Sequence, residues 1–318
     1  MRFTDLSFAT ICGIINKKIR QLLWQDVWRA NVDQRKIKIP SKLTLITIDE
    51  ICPQLHTLKS GEKVLFDLSD VRFVAPDALL LLVTSSKFCF KKAQQPVEWV
   101  NADSEVRTYM DRMYINNLPF VHLEHPPLFQ KRQYSKSDAL IEVSTIASDK
   151  EIGNAIVHTK KILERWLSNG PHANLMNIST LFKETFENSI EHSGAGLSNG
   201  VCYYTLQKYT RGNITEIQIA VGDIGVGILG SQQRKYPGTK DDVDAIIQAL
   251  KFGRSGRIDG EGGMGFANVR DALANLDGHL TIRSGRARVE YPHKKNIFRI
   301  LRQEESYPGT QIFFKVRA

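Results

Sequence analysis

Residues 181–193, LFKETFENSIEHS, have the spacing of a helix that carries chemistry on one side. Glu184, Asn188 and His192 recur every four residues, so a helix would stack these three polar groups on one side. Beside them runs an apolar stripe that would pack on a core: Ile178, Leu181, Phe182, Thr185 and Phe186. The polar side then either lines a cleft or forms an ordinary exposed helix face.

Length and charge set the class of protein. The chain has 318 residues, 42% hydrophobic and 24% charged, which suits about two globular domains. Of the net charge of +9, residues 1–40 carry 8 Lys or Arg against 3 Asp or Glu. Such a basic segment can contact anionic lipid or nucleic acid, but it lacks the interleaved basic and aromatic residues of nucleic-acid modules. We therefore expect no nucleic-acid partner.

Four scattered cysteines, Cys12, Cys52, Cys89 and Cys202, form no CxxC pair. This spacing argues against a zinc site or a disulfide framework and favours a reducing cytoplasm. No apolar run reaches the roughly 18 residues that cross a bilayer, so we expect no transmembrane segment.

The N-terminal part, residues 1–40, is predicted to be an amphipathic helix over 6–32 followed by a charged connector over 34–41. Its apolar face, which includes Ile15, Leu22 and Trp28, would either dock on a membrane surface or a partner, or pack on its own domain.

Residues 41–148 alternate between strand and helix patterns, which is typical of an α/β layer. The predicted strands are 43–48, 64–68 and 97–100, and the predicted helices are 78–92, with Asp77 as N-cap, and 105–114. An irregular link over 119–137, a short apolar stretch over 139–146 and a long helix over 149–168 follow, so we place a domain boundary near residue 148.

Residues 64–82, VLFDLSDVRFVAPDALLLL, resemble the STAS domain, the small α/β module of anti-sigma-factor antagonists. The resemblance covers residues 42–125. In that family the loop before the helix commonly bears a phosphorylated Ser or Thr. Here the loop over 73–78, FVAPDA, has no hydroxyl residue, so an acceptor would have to lie on another chain.

In residues 149–318, the strand patterns at 201–207 and 215–220 flank Gly212 and predict a hairpin. The second strand leads into VGDIGVGI, where Asp223 could accept a hydrogen bond from an amine. Further on, GEGGMGFAN opens a helix whose N–H groups suit phosphate oxygens, and GTQIFFKV forms a last strand that carries Thr310. Each motif taken singly is also an ordinary turn or joint.

In their order along the chain, ETFENSIEHS, DIGVGI, GGMGFAN and GTQIFF resemble the four signature boxes of the GHKL superfamily. This superfamily, also known by its Bergerat fold, includes gyrase, heat-shock-90 chaperones, histidine kinases and mismatch-repair ATPases. The resemblance covers residues 150–318. It implies a two-layer α/β sandwich, with helices on one face of a mixed sheet and ATP under a mobile lid. The expected fold class is therefore α/β: a STAS-like domain followed by a GHKL domain.

The resemblance also implies a role for each matching residue. Glu184 would activate the nucleophile, Asn188 would coordinate Mg²⁺, and His192 would lie near the phosphates of ATP. Asp223 would accept a hydrogen bond from the adenine amine, with Thr310 as its support. The other expected nucleotide contacts are Gly225, Gly227, Arg254, Gly263, Met264 and Gly265.

Residues 230–262 correspond to the lid of this family. The pattern predicts a helix over 241–251, followed by FGRSGRIDGEGG, whose five glycines indicate mobility. Arg254 and Arg257 would either meet the charge of the phosphates or remain solvated on the surface.

Three activities fit these expectations. The first is phosphotransfer to a partner, as in anti-sigma serine kinases; the second is an ATPase switch that changes dimerisation or partner binding. The third is a scaffold that senses ATP without turnover. In each case the protein would be a cytoplasmic regulator that contacts a protein partner or a second copy of itself.

Overall fold

The computed structural model describes residues 33–125, 140–167, 172–193, 201–252, 265–276, 278–292 and 299–317. Within these ranges the chain is a mixed α/β protein with one parallel and one antiparallel sheet. The amphipathic helix expected over residues 6–32 lies outside them. No helix in the described ranges is long and apolar enough to cross a bilayer.

The parallel sheet has the strand order β1-β2-β3-β4. Its strands are β1 (Gln34–Lys38), β2 (Lys63–Asp67), β3 (Val97–Val100) and β4 (Val121–Leu123). The side chains of Val64, Leu65, Phe66 and Asp67 are all buried. This is the pattern of a strand that is covered on both faces, as parallel strands usually are.

Three helices belong to this region: α1 (Cys52–His56), α2 (Pro76–Ala93) and α3 (Ser104–Arg112). Helix α2 confirms the helix expected over 78–92, but the N-cap assignment was wrong, because Ala75 occupies that position and Pro76 opens the helix. The carboxylate of Asp77 instead accepts a hydrogen bond from the backbone N–H of Ala78 in the first turn.

Three further expectations for this region are wrong. The link expected to be irregular over 119–137 contains strand β4. The stretch expected to be a charged connector contains strand β1, whose lysines form ion pairs with acidic side chains: Lys36 with Asp67 and Lys38 with Asp70, each at 2.8 Å. The strand expected over 43–48 is a turn that leads into a 3₁₀ turn, Thr47–Glu50. There the Thr47 hydroxyl accepts the N–H of Thr44, a local bond that competes with strand pairing.

The antiparallel sheet has the order β5-β6-β7-β9-β8. Its strands are β5 (Leu140–Ile146), β6 (Cys202–Arg211), β7 (Ile214–Gly222), β8 (His279–Pro292) and β9 (Arg299–Arg317). Strands β6 and β7 form the expected hairpin, with Gly212 at φ 58°. The mixed sheet implied by the GHKL resemblance is a wrong expectation for the described strands, because β9 runs antiparallel to both β7 and β8.

Helices cover both faces of this sheet. Helices α4 (Asp149–Trp166), α5 (His172–Ser193), α7 (Asp242–Phe252) and α8 (Gly265–Asn275) share one core with sheet residues such as Tyr204 and Val221. Helix α2 shares the other core with Tyr203 and Ala220, which point to the opposite face. The expectation of helices on one face is therefore corrected: α2 lies between the parallel and the antiparallel sheet.

The helix expected over 241–251 is confirmed as α7, its place in a lid stays a prediction, and the short helix α6 (Gly227–Gln233) precedes it. The division of the chain at residue 148 stays a prediction. Strand β5, which lies before residue 148, pairs with β6 of the antiparallel sheet.

Candidate nucleotide site

Helix α5 buries the apolar stripe that its sequence predicts. Ile178, Leu181, Phe182, Thr185 and Phe186 are each at most 1% exposed. The ring centroid of Phe186 lies 5.4 Å from that of Phe182 and 4.8 Å from that of Tyr204 on β6. This packing fixes the rotation of α5 on the sheet, and it leaves Glu184 and Asn188 only half-buried beside the core.

The carboxylate of Glu184 is held by a neighbouring helix. Its Oε1 atom accepts a hydrogen bond of 2.8 Å from Nδ2 of Asn268 in α8. Asn268 lies one turn after Gly265, where α8 begins, so the N-terminal turn of α8 stands beside Glu184. Asn268 belongs to the motif GGMGFAN, but sequence reasoning gave it no role.

Asn188 lies one turn after Glu184 on α5. Its Nδ2 atom is buried and finds no hydrogen-bond partner in the part of the chain that the structure describes. An unpaired buried amide is costly, and a ligand oxygen would relieve that cost. His192 lies in the last turn of α5, and its side chain falls outside the described part.

Asp223 follows β7 directly and is 3% exposed. Its carboxylate accepts the N–H of Gly225 at 2.7 Å and also the backbone N–H of Thr310 on β9. Burial raises the pKa of Asp223 to about 7, although these two N–H groups favour the charged form. Because a carboxylate can accept about four hydrogen bonds, this group retains capacity for an amine donor.

Two glycines allow the close packing around this turn. Gly227 has φ 71°, and a Cβ there would lie 2.9 Å from the Ser284 hydroxyl, which accepts the N–H of Ile228 at 2.9 Å. Gly309 has φ 70°, and a Cβ there would lie 2.2 Å from the backbone oxygen of Asp223. Gly227 thus has a packing role in addition to any contact with a ligand.

A buried thiol connects α5 to the Asp223 turn. Cys202 begins β6 beside Asp223, because the next residue, Tyr203, pairs with Gly222, and its buried thiol lies close to Ser189, the residue after Asn188. Burial and the neighbouring carboxylate of Asp223 raise the pKa of the Cys202 thiol. The structure therefore brings the Asn188 turn of α5 and the Asp223 turn of β7 to the same end of the sheet.

The roles expected for three other site residues stay predictions. Arg254, Gly263 and Met264 lie outside the described residues. Within them, no cluster of three His, Cys, Asp or Glu side chains could hold a metal ion. Two surface grooves of about 290 and 330 Å³ flank Phe73 and Tyr209, and the site residues line neither of them.

No protein-family model matches the chain, and no curated protein matches it closely enough in sequence to serve as a relative. Function must therefore be argued from the site itself.

Proposed function

We propose that residues 149–318 bind ATP with Mg²⁺ at a site of the GHKL type, attached to a STAS-like region over 41–148, and that the protein is a cytoplasmic regulator. One observation carries the proposal. The buried carboxylate of Asp223 stands at a strand end, and Cys202 connects it to Ser189, the neighbour of Asn188 on α5. Asn188 and Asp223 are 35 positions apart in the sequence, and each has hydrogen-bonding capacity left for a ligand.

Each side chain has one task in this proposal. Asp223 accepts a hydrogen bond from the adenine amine. The oxygen of Asn188 would coordinate Mg²⁺, a hard cation that prefers oxygen ligands, and its unpaired Nδ2 atom would donate to a phosphate oxygen. The N-terminal turn of α8, beside Glu184, offers N–H groups and a partial positive charge to the phosphates. ATP would supply the γ-phosphoryl group and leave as ADP, and Mg²⁺ would offset the negative charge of the phosphates.

The hydrogen bond between Glu184 and Asn268 favours a catalytic role for Glu184 over a site that only senses ATP. A general base has to be held in a fixed orientation, and Asn268 holds one oxygen of this carboxylate at 2.8 Å. The other oxygen then takes the proton of the nucleophile, which is water in an ATPase switch or a partner hydroxyl in a kinase. The loop over 73–78 offers no hydroxyl, so a phosphorylated residue would lie on another protein.

The free thiols of the described cysteines support a location in the cytoplasm. Cys52, Cys89 and Cys202 are free and buried, as expected for a protein of a reducing compartment. A protein partner or a second copy of this chain is the expected target of the regulation.

Two measurements test the proposal. Calorimetry with ATP and Mg²⁺ should give binding heat, which Asn188→Ala abolishes. Incubation with γ-labelled ATP, alone and with candidate partners, should release labelled phosphate or yield a labelled protein. Glu184→Gln keeps an acceptor for Asn268 but loses the base, so it should retain binding and reduce turnover about 10²-fold or more.

The matched control is Glu164→Gln, which makes the same change at an exposed position of α4 and should leave both measurements unchanged. Absence of binding heat with folded protein would refute the proposal. Loss of binding and turnover together in Glu184→Gln would refute the role of Glu184.

A further inference from the structure

A buried amide connects the Asp223 turn to helix α2. Gln311 lies on β9 opposite Gly222 of β7 and is 1% exposed. Its Nε2 atom donates a hydrogen bond of 2.7 Å to the backbone oxygen of Asp223. Together with the N–H of Asp223, which donates to Thr310 at 3.0 Å, this bond fixes both backbone groups of the aspartate.

Helix α2 holds the other end of the same amide. A Cβ added to Gly222 would lie 2.0 Å from Oε1 of Gln311 and 3.0 Å from Cδ2 of Leu80, so the amide fills the space between β7 and α2. The Thr84 hydroxyl lies 3.4 Å from that Oε1 atom. The Thr84 hydroxyl also donates to the backbone oxygen of Leu80 at 2.9 Å, so the orientation of Gln311 depends on α2 mainly by packing and to a lesser degree by this long polar contact.

Helix α2 is itself fixed on β9. The hydroxyl of Tyr307, a residue 1% exposed, lies 2.8 Å from the hydroxyls of both Thr84 and Ser85. On the side toward the parallel sheet, Ser86 accepts the indole N–H of Trp99 at 2.9 Å. Three successive side chains of α2 thus contact both sheets, and a shift of α2 on the antiparallel sheet would disturb Gln311.

We propose that Gln311 is a positioning residue that holds the Asp223 turn in its binding form only while α2 is docked on β9, so that the docking of α2 on the antiparallel sheet controls ligand affinity at Asp223. The identity of the ligand as ATP rests on the proposed function. The positioning of the turn does not, because the hydrogen bonds that define it lie within the chain.

The experiment uses the full chain and two readouts. Hydrogen exchange of residues 222–228 reports the turn without any ligand, since the N–H of Gly225 is bonded to Asp223. Calorimetry with ATP and Mg²⁺ reports affinity. In Gln311→Met, which keeps the volume and loses the amide, exchange in this segment and the Kd for ATP should each rise about ten-fold.

Thr84→Val should raise both quantities about three-fold, and Thr84→Ser, which restores the hydroxyl, should return them to the parent values. The matched control is Ser85→Ala. It also removes a hydroxyl that contacts Tyr307, but among the described residues this hydroxyl makes no hydrogen bond to Gln311, so both quantities should rise clearly less than in Thr84→Val. Hydrogen exchange of the backbone amides of strand β6 is measured in the same samples and reports global unfolding.

Parent-like exchange of residues 222–228 in Gln311→Met would overturn the positioning role, whether or not ATP binds. Equal behaviour of Thr84→Val and Ser85→Ala would overturn the control by α2. A parent protein that gives no heat with ATP would refute the proposed function alone, and the exchange data would still decide this inference.

Discussion

Two aspartates end buried strands, one in each sheet, and their environments are opposite. Asp67 ends β2 at 5% exposure, and Asp223 follows β7 at 3% exposure. Burial alone would raise the pKa of Asp67, but Lys36, Asn101 and Ser69 outweigh burial and hold this pKa well below its usual range. Burial dominates at Asp223, whose hydrogen bonds come from backbone N–H groups, and raises its pKa to about 7.

The two environments distinguish a carboxylate that stabilises the fold from one that can still accept hydrogen bonds. The Asp67 carboxylate has a cation at 2.8 Å and an amide donor at 2.9 Å, so folding already compensates its charge. Asp223 is buried without such compensation, which costs stability unless a ligand supplies a donor. Asp67 thus helps to hold the fold, whereas Asp223 has acceptor capacity left for the proposed ligand.

Replacement of each aspartate by alanine gives the largest expected contrast. Asp223→Ala removes the proposed acceptor for the adenine amine, and we expect the affinity for ATP to fall at least about 100-fold. Asp67→Ala leaves Lys36 and Asn101 without their acceptor, and we expect a loss of about 2–4 kcal/mol in the free energy of unfolding. Calorimetry and denaturant unfolding measure the two quantities.

Each variant serves as the control for the other, because Asp67→Ala should change stability but not ATP affinity, and Asp223→Ala should change ATP affinity. Folded Asp67→Ala protein should bind ATP within about two-fold of the parent. An equal loss of affinity in both variants would remove the distinction between a structural and a functional carboxylate.

The pH dependence of stability should have opposite signs at the two positions. The pKa of Asp223 in the folded protein, about 7, exceeds its unfolded value near 3.9, so its contribution is full below pH 4 and is lost as the pH rises to 7. As the pH rises from 4 to 8, the free energy of unfolding of Asp223→Asn should therefore increase by up to about 4 kcal/mol relative to that of the parent.

Asp67 has a lowered pKa, so its contribution is present above its unfolded value and is lost as the pH falls below about 4. The stability gap between Asp67→Asn and the parent should narrow on acidification from pH 7 to pH 3. Urea unfolding across this range tests both signs, and parallel pH profiles for the two variants would contradict the assignment.

Sequence patterns predicted features that depend on near neighbours. The apolar period of α5, the hairpin at Gly212 and the position of Asp223 after a strand were all visible, because residues a few positions apart determine them. Strand β1, QRKIK, was missed since a single buried position, Ile37, interrupts its charges. The ion pairs that make this strand acceptable involve acids more than 30 positions away.

The partners of the site residues were beyond sequence reasoning for a similar reason. Asn268 lies 84 positions from Glu184, and Gln311 lies 88 positions from Asp223. Asparagine and glutamine in a strand or helix carry no local signal of such a bond. The packing of α2 on a second sheet could not be predicted either. The run ALLLLV indicates that the helix is buried, but it does not indicate which elements cover it.

An ion pair between the two regions offers a smaller contrast. Arg283 of β8 is 0% exposed and donates to Asp49 in the 3₁₀ turn at 2.6 Å. Asp49→Ala leaves this guanidinium buried without its counter-charge and should cost about 3 kcal/mol of unfolding free energy. Arg283→Met fills the same space with an apolar side chain and should cost less than half of that. A larger loss in Arg283→Met than in Asp49→Ala would contradict this account.

The smallest expected effect distinguishes two neighbouring hydroxyls on α2. Ser86 accepts the indole N–H of Trp99 from the parallel sheet, and both residues are buried. Ser86→Ala leaves that N–H unpaired, so we expect a loss of about 1 kcal/mol in unfolding free energy and no change in ATP affinity. Thr84 lies two residues earlier and faces the antiparallel sheet. Loss of its hydroxyl should therefore raise the hydrogen exchange of the Asp223 turn and the Kd for ATP. If Ser86→Ala weakened ATP binding as much as Thr84→Val does, contacts of α2 with either sheet would affect the Asp223 turn. The claim that only the contacts with the antiparallel sheet do so would then be wrong.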